Sequence, residues 1–148
     1  MYGIREKIIS FLIKNGINVE PFGLGWPNGS IDSKKIADLS VNSKIILGIG
    51  TIGHCENKYT LKLRDFDSPM SGSFYITHRN QDLLQFFEEG VEIECYDNQT
   101  ELLEKIKFYL INEQLRINIA KNGHSKAVQY HDWSLRLKTL FNSLGLLD

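Results

Sequence analysis

"LKLRDFDSPMSGSFYIT", residues 61–77, joins a short helical pattern to a strand-like run. In its first half, apolar residues recur at the spacing of one helical face, and charged residues separate them. Pro69 and Gly72 then interrupt the pattern, and residues 73–77 are typical of a strand. We therefore expect a helix of about two turns over 61–70 that leads straight into a strand, a unit from which α/β folds are built.

Helical and strand-like segments alternate on both sides of this unit. The run 44–50, "KIILGIG", is continuously apolar, as expected for a strand buried on both faces of a parallel sheet, and 91–97 alternates like an outer strand. Such alternation favours an α/β fold with helices on both faces of a parallel sheet, from which the usual opening strand is missing. The pattern predicts helices at 2–15, 32–43, 61–70, 80–90 and 98–112 and a helical tail with breaks near Gly123 and at 131–132. It predicts strands at 44–50, 73–77 and 91–97, and a short strand within 17–25 that enters a glycine-rich turn.

The composition is that of an ordinary globular domain. The chain has 148 residues, 42% of them apolar, and a formal net charge of −1, which gives no electrostatic footprint for nucleic acid. Cys55 and Cys95 form no Cys-x-x-Cys pair, so we expect two reduced thiols and no metal site. Residues 1–16 lack the apolar core of a signal peptide, and no apolar run approaches the ~20 residues that cross a bilayer. We therefore expect a cytoplasmic protein with no transmembrane segment.

Three segments follow the predicted strands and are candidates for ligand binding. They cover 23–31, 50–60 and 77–82, and ligands of open parallel sheets bind beyond the carboxyl ends of the strands. The segment 23–31 is rich in glycine, and its Trp26 either stacks on a base or closes the loop onto the sheet. In the segment 50–60, His54 is a candidate base, a candidate phosphate donor or a hydrogen-bonded loop residue.

The predicted helix at 61–70 has two interpretations. Its first amides point at the rim of the sheet and favour an anion such as a diphosphate, with Lys62 and Arg64 adding positive charge. Asp67 is then able to accept hydrogen bonds from two hydroxyls, such as those of a ribose. In the other interpretation the helix is a solvated amphipathic one, on which Arg64 and Asp67 form an i,i+3 pair.

An ordered series of motifs along the chain resembles a known family. The resemblance is to the C-terminal half of a glycosyltransferase of the GT-B fold, of the spore-coat maturation type that is related to retaining family four. It implies a single Rossmann-like domain over 1–148, with a helical tail over about 112–148, which binds a nucleotide-diphosphate sugar. The motifs are "INVEPFGLGW" (17–26), "SKIILGIGTIG" (43–53), "LRDFDSPMSG" (63–72), "LLQFFEEGVEIECY" (83–96) and "RINIAKNGHSKAVQYHDW" (116–133).

The resemblance also implies roles for individual residues. Asp67, a shorter acid than the family's glutamate, holds the ribose, and Tyr59 stands where the family carries another glutamate. The leaving diphosphate is stabilised electrostatically, with no cofactor and no bound metal required. The other candidates are Gly29, Ser30 and Ile31 near the base, Lys62 and Arg64 at the diphosphate, and Gly53 beside the candidate catalytic residue His54 at the sugar phosphate.

The expected function is transfer of a hexosyl group from a nucleotide-diphosphate sugar to an acceptor. Because the resemblance covers the donor-binding half, we expect the enzyme to need an acceptor-binding N-terminal domain or a separate subunit. The alternative is a non-catalytic module of the same ancestry, which docks a partner or forms a homodimer through its sheet edge or exposed helices. A flavodoxin-like signalling domain is disfavoured, because no acidic cluster ends an early strand.

Overall fold

The computed structural model describes residues 3–52 and 55–146, with the backbone alone at 55–57. The helices are α1 (Gly3–Lys14), α2 (Ser33–Asn42), α3 (Arg64–Met70), α4 (Gln99–Ile111), α5 (Glu113–Tyr130) and α6 (Trp133–Ser143). The strands are β1 (Ile46–Leu47), β2 (Thr51–Ile52), β3 (Cys55–Tyr59), β4 (Tyr75–His78) and β5 (Glu94–Tyr96).

A parallel sheet of three strands in the order β1-β4-β5 forms the centre of the fold. Ile46 pairs with Tyr75 and Ile76 pairs with Glu94, so β4 is the central strand. The strand β5 lies at the edge, as its alternating sequence predicts. Because helices flank this sheet, the predicted α/β class with a Rossmann-like parallel sheet is confirmed.

The two faces of the sheet bury different halves of the core. Alternate side chains of β4 and β5 point in opposite directions, as the pleat of a strand requires. One face buries Phe74, Ile76 and Tyr96 with residues of α1 and α4. The other buries Tyr75 and Cys95 with residues of α3 and α5. The Cys95 thiol is free, as expected.

Two predicted elements in the first half of the chain are wrong. The segment 17–25 forms no strand, although the glycine-rich turn predicted at its end does form, with Gly23 N–H donating to Gly29 C=O at 2.7 Å. The segment 50–60, for which the sequence predicts a loop, contains the antiparallel hairpin of β2 and β3. Both errors arise because strand pairing depends on residues that are distant in sequence.

The predicted helix at 80–90 is also wrong, since only Leu83–Gln85 forms a short 3-10 helix. Leu83 and Phe87 bury their side chains in the core, and the chain then turns at 88–93 into β5. The Asn80 side chain accepts a hydrogen bond from the Asp82 amide, but this closes a turn and does not start an α-helix.

Gly123 lies inside α5 and does not break the tail. A side chain at this position would clash with the backbone carbonyl of Glu92, so glycine lets α5 approach the turn before β5 closely. The predicted break at 131–132 is confirmed, and the Asp132 side chain caps α6 by accepting from Ser134 N–H at 2.8 Å. Trp133, the first residue of α6, is 60% exposed.

The last helix, α6, buries none of its residues. It is held through Arg136, whose guanidinium lies 4.2 Å from the centre of the Phe66 ring. Across the described part of the chain, no helix has both the length and the apolar character that a membrane crossing requires.

Candidate functional site

A buried carboxylate fixes α3 against the central strand. Asp65 is 3% exposed, and its two oxygens accept hydrogen bonds from Lys62 N–H at 2.7 Å and from the Tyr75 hydroxyl at 2.5 Å. Leu63, at the start of the helix, offers no capping side chain, so Asp65 satisfies a free amide there from within the first turn. The start of α3 is therefore held rigidly against β4.

Arg64 and Asp67 stand on this anchored helix without partners. The Asp67 side chain is exposed, Arg64 is half-buried, and neither forms an ion pair within residues 3–52 and 55–146. The i,i+3 pair of the amphipathic interpretation is therefore absent. Of the two carboxylates of α3, the buried Asp65 is structural and the exposed Asp67 is available to a ligand.

The charge of Arg64 acts on two buried phenols of the sheet. Burial raises the pKa of Tyr75 well above its ordinary value, chiefly with the nearby charge of Asp65, and the positive charge of Arg64 opposes the rise. Burial likewise raises the pKa of Tyr96, and Arg64 again opposes the shift. The guanidinium is thus close enough to both rings to place positive charge at the rim beside β4 and β5.

Three aromatic rings stack where β3, β4 and β5 end. The Tyr59 and His78 rings lie 4.7 Å apart at an angle of 25°, and the His78 and Tyr96 rings lie 4.3 Å apart. We call this set, Tyr59, His78 and Tyr96, the aromatic column. His78 is 5% exposed, and burial lowers its pKa to about 4, although the negative charge of Asp97 works against this. The imidazole is therefore neutral at pH 7.

Gly48 lets the aromatic column and α3 meet at the end of β1. A side chain at this position would clash with the Tyr75 hydroxyl and with Thr77 Oγ1. The carbonyl of Gly48 accepts a hydrogen bond from the Tyr96 hydroxyl at 3.0 Å. The carboxyl ends of β1, β4 and β5 are thereby tied together into one rim.

A cavity of about 580 Å³ lies between the loop 22–32 and α2. Ser30 and Ile31 line it, together with Phe22, and Gly29 adopts a left-handed backbone with φ 62° in the turn before them. Lys62, Arg64 and Asp67 are not among its lining residues, so the structure does not bring the two groups of donor-binding candidates into one cavity.

The remaining sequence-derived candidates are distributed as follows. Lys62 is half-buried, and its backbone amide is occupied by Asp65. Gly53 and His54 lie outside the described residues, so their predicted roles stay predictions.

Sequence reasoning did not bring His78, Tyr59 and Tyr96 together. His78 lies inside the candidate segment 77–82, and its position directly after a predicted strand was the available signal. The resemblance gives Tyr59 the place of a family glutamate, but no local signal links it to His78 or Tyr96, because the three rings come from three separate strands.

The architecture is that of an α/β domain whose parallel sheet presents an anchored helix and a charged rim at its carboxyl edge. Residues 5–142 match the model of a family described as glycosyl transferase-like, and the chain belongs to this family. A role in glycosyl transfer follows in general terms. Neither a curated protein nor a solved structure shows a significant match.

Proposed function

We propose that this domain is the donor-binding half of a GT-B glycosyltransferase of the spore-coat maturation type. It binds a nucleotide-diphosphate sugar at the carboxyl rim of its sheet and, with an acceptor-binding domain or subunit, transfers the hexosyl group. The observation that carries the proposal is a pair of opposite charges on α3, Arg64 and Asp67, which form no ion pair within residues 3–52 and 55–146 and lie beside the buried Asp65–Tyr75 anchor.

The rigid anchor makes these two charges suitable for ligand binding. A side chain on a fixed helix loses less freedom on binding than one on a mobile loop. The guanidinium of Arg64 is a strong donor to phosphate oxygens, and the carboxylate of Asp67 accepts hydrogen bonds from vicinal hydroxyls. These two chemistries match a diphosphate and a ribose.

The cavity beside Ser30 and Ile31 supports a site for the nucleobase. Phe22 and Ile31 offer it apolar surface, and most of its other lining residues are polar or charged, so both stacking and hydrogen bonding are available to a base. In this proposal, Gly29 and Ser30 present backbone groups to the base, and Lys62 adds charge near the diphosphate. Gly53 and the candidate catalytic residue His54 complete the sugar-phosphate end.

The proposed chemistry is loss of the diphosphate from the anomeric carbon of the sugar. The leaving group gains negative charge in the transition state, and a positive charge held in place stabilises it without further reorganisation. Arg64 is the residue of this domain that supplies such a charge. The acceptor-binding domain or subunit supplies the residues that surround the attacking group of the acceptor.

Calorimetric titration tests the proposal. The panel is UDP, GDP, ADP and dTDP with their common hexose adducts, each with and without Mg²⁺. We expect one base to bind, and we expect Asp67→Ala and Arg64→Ala each to weaken binding by about tenfold or more, as loss of a charged hydrogen bond predicts. The matched control is Glu104→Ala, which removes an exposed carboxylate from α4 and leaves binding unchanged. Absence of heat with every nucleotide contradicts the proposal.

One observation favours the alternative of a non-catalytic module that forms a homodimer. The helix α6 buries none of its residues and exposes large apolar side chains, including Leu140 at 49%. Sedimentation equilibrium separates the two functions. A stable dimer without affinity for any nucleotide favours the interaction module, whereas nucleotide binding favours the donor-binding domain.

A further inference from the structure

The aromatic column holds a buried histidine in a defined orientation. Tyr59 covers one face of the His78 ring and Tyr96 packs against the ring from another side, at centroid distances of 4.7 and 4.3 Å. The Nδ1 atom of His78 lies 3.1 Å from the Tyr96 hydroxyl. Both the position and the tilt of the imidazole are therefore fixed by neighbours from two other strands.

The hydrogen bonds of Tyr96 determine which imidazole nitrogen carries the proton. The Tyr96 hydroxyl has a single hydrogen, which it donates to the carbonyl of Gly48 at 3.0 Å. His78 Nδ1 must then be the donor to the Tyr96 oxygen for both contacts to be hydrogen bonds. The neutral ring consequently keeps its lone pair on Nε2.

That lone pair has no partner in the described part of the chain. Tyr59 and Tyr96 pack against the imidazole ring, and the Tyr96 hydroxyl takes up its Nδ1 side, so the edge that carries Cε1 and Nε2 is the side of the ring left without these contacts; His78 as a whole is 5% exposed. An acceptor of this kind, rigid and neutral at the carboxyl end of the central strand, is suited to a hydroxyl donor.

We propose that His78 determines sugar specificity in this domain, with Nε2 accepting a hydrogen bond from a hydroxyl of the hexose on a nucleotide-diphosphate sugar. This inference rests on the proposed function. The Tyr75 hydroxyl, which donates to Asp65 beside Arg64, and the Tyr96 hydroxyl, which orients His78, both lie at Gly48, so Arg64 and His78 stand on the same rim. Tyr59 and Tyr96 are positioning residues, which hold the imidazole and set its tautomer.

A neutral acceptor that is fixed in position selects among sugars by where their hydroxyl groups lie. A sugar that places a hydroxyl opposite Nε2 gains a hydrogen bond. An epimer or deoxy analogue leaves the nitrogen without one and loses affinity. The nucleoside diphosphate alone does not reach this contact, so His78 contributes only when the sugar is attached.

Two substitutions at the same position separate the contact from the fold. His78→Asn keeps an N–H near the position of Nδ1 and removes the acceptor at Nε2. His78→Gln places an amide oxygen near the position of Nε2 and is the matched variant that retains an acceptor. The experiment titrates the 148-residue chain and both variants with each nucleoside diphosphate that binds and with its hexose adducts, and thermal melting confirms that both variants are folded.

We expect His78→Asn to bind the nucleoside diphosphate within about twofold of the wild type but to lose about tenfold in affinity for the preferred sugar adduct. His78→Gln recovers most of this loss. Nitrogen-15 spectra of the wild-type imidazole show the proton on Nδ1.

Three results overturn the inference. If nucleotides bind but His78→Asn changes the affinities for the adduct and the diphosphate equally, His78 is not a sugar contact, and the proposed function stands. If the spectra place the proton on Nε2, the acceptor does not exist. If no nucleotide binds the wild-type chain, the proposed function fails and this inference fails with it.

Discussion

Two charged regions of this domain are built in opposite ways. At the sheet edge, the charges of Arg79, Lys105, Glu89, Glu94, Asp97 and Glu101 form what we call the edge cluster. Arg79 pairs with Glu89 at 2.5 Å and with Asp97 at 2.6 Å, and Lys105 pairs with Glu94 at 2.9 Å. On the carboxyl rim, Arg64 and Asp67 have no ion pair among the residues described.

The difference separates charges that stabilise the fold from charges that are available to a ligand. Burial alone would lower the pKa of Lys105, but its hydrogen bonds to Glu94 and Glu101 and their charges raise it above the ordinary value. The edge cluster therefore stabilises the charged form of its lysine. Arg64 and Asp67 form no comparable pair among the described residues, which is the reason that we propose them as ligand contacts.

The largest expected effect comes from removing a cation of the edge cluster. Lys105→Met leaves Glu94, which is 5% exposed, without its positive partner, so we expect a loss of about 3 kcal/mol in the free energy of unfolding. Lys107→Met on the same helix removes an exposed lysine and should stay within about 0.5 kcal/mol. Urea denaturation measures both. Equal losses in the free energy of unfolding for the two variants would contradict the view that the paired charge stabilises the fold and the exposed one does not.

Lowering the pH is expected to reduce the free energy of unfolding through protonation of His78. Its folded pKa of about 4 lies below the ordinary value, so the unfolded chain binds the proton first as the pH falls. Stability is therefore fully present above pH 6.5 and declines below it, with a contribution from His78 of about 2 kcal/mol between pH 7 and pH 5. The burial of His131 also lowers its pKa and adds to the decline.

The variant His78→Asn isolates the contribution of His78 to this decline. Urea melts at pH 7 and pH 5 should show a smaller loss of stability for the variant than for the wild type. An identical loss in both proteins would show that the His78 pKa is not lowered in the fold.

The hydrogen bond from Tyr75 to Asp65, which anchors α3, should contribute to the free energy of unfolding. Tyr75→Phe removes the hydroxyl that donates to buried Asp65 and should cost about 1.5 kcal/mol. The control Tyr130→Phe removes an exposed hydroxyl, on a ring that is 55% exposed, and should be nearly neutral. Thermal melts compare the two. A neutral Tyr75→Phe would mean that α3 is not held by this bond.

The smallest expected stability change comes from the rim charges themselves. Arg64→Gln and Asp67→Asn should each alter the free energy of unfolding by less than about 0.5 kcal/mol, because neither side chain forms an ion pair with another described residue. Urea denaturation of the ligand-free chain checks this. A loss in the free energy of unfolding similar to that of Lys105→Met would show that Arg64 or Asp67 stabilises the fold.

Much of the fold could be predicted from local sequence. Helical periodicity predicts α1, α2 and α4, and the Asp32 side chain caps α2 by accepting from Lys34 N–H at 2.9 Å. The run 73–77 predicts the central strand. Local patterns do not show that 17–25 stays unpaired or that 80–90 turns toward β5, because tertiary contacts decide both.

The candidate site could be predicted only in part. Sequence places Arg64, Asp65 and Asp67 on one short helix but does not show which acid is buried. That choice depends on Tyr75, ten residues further along the chain. The aromatic column was not predictable for the same reason, since His78 meets Tyr96 across two strands.

A nuclear magnetic resonance titration tests the central claim most directly. Backbone amides of the wild-type chain are followed while the nucleotide-diphosphate sugar that gives heat in calorimetry is added. We predict saturable shifts in α3 around Arg64 and Asp67 and at His78, with the amides of α4 around Lys105 unmoved. Shifts confined to α4 and the edge cluster, or no shift at the rim at saturation, would contradict the account.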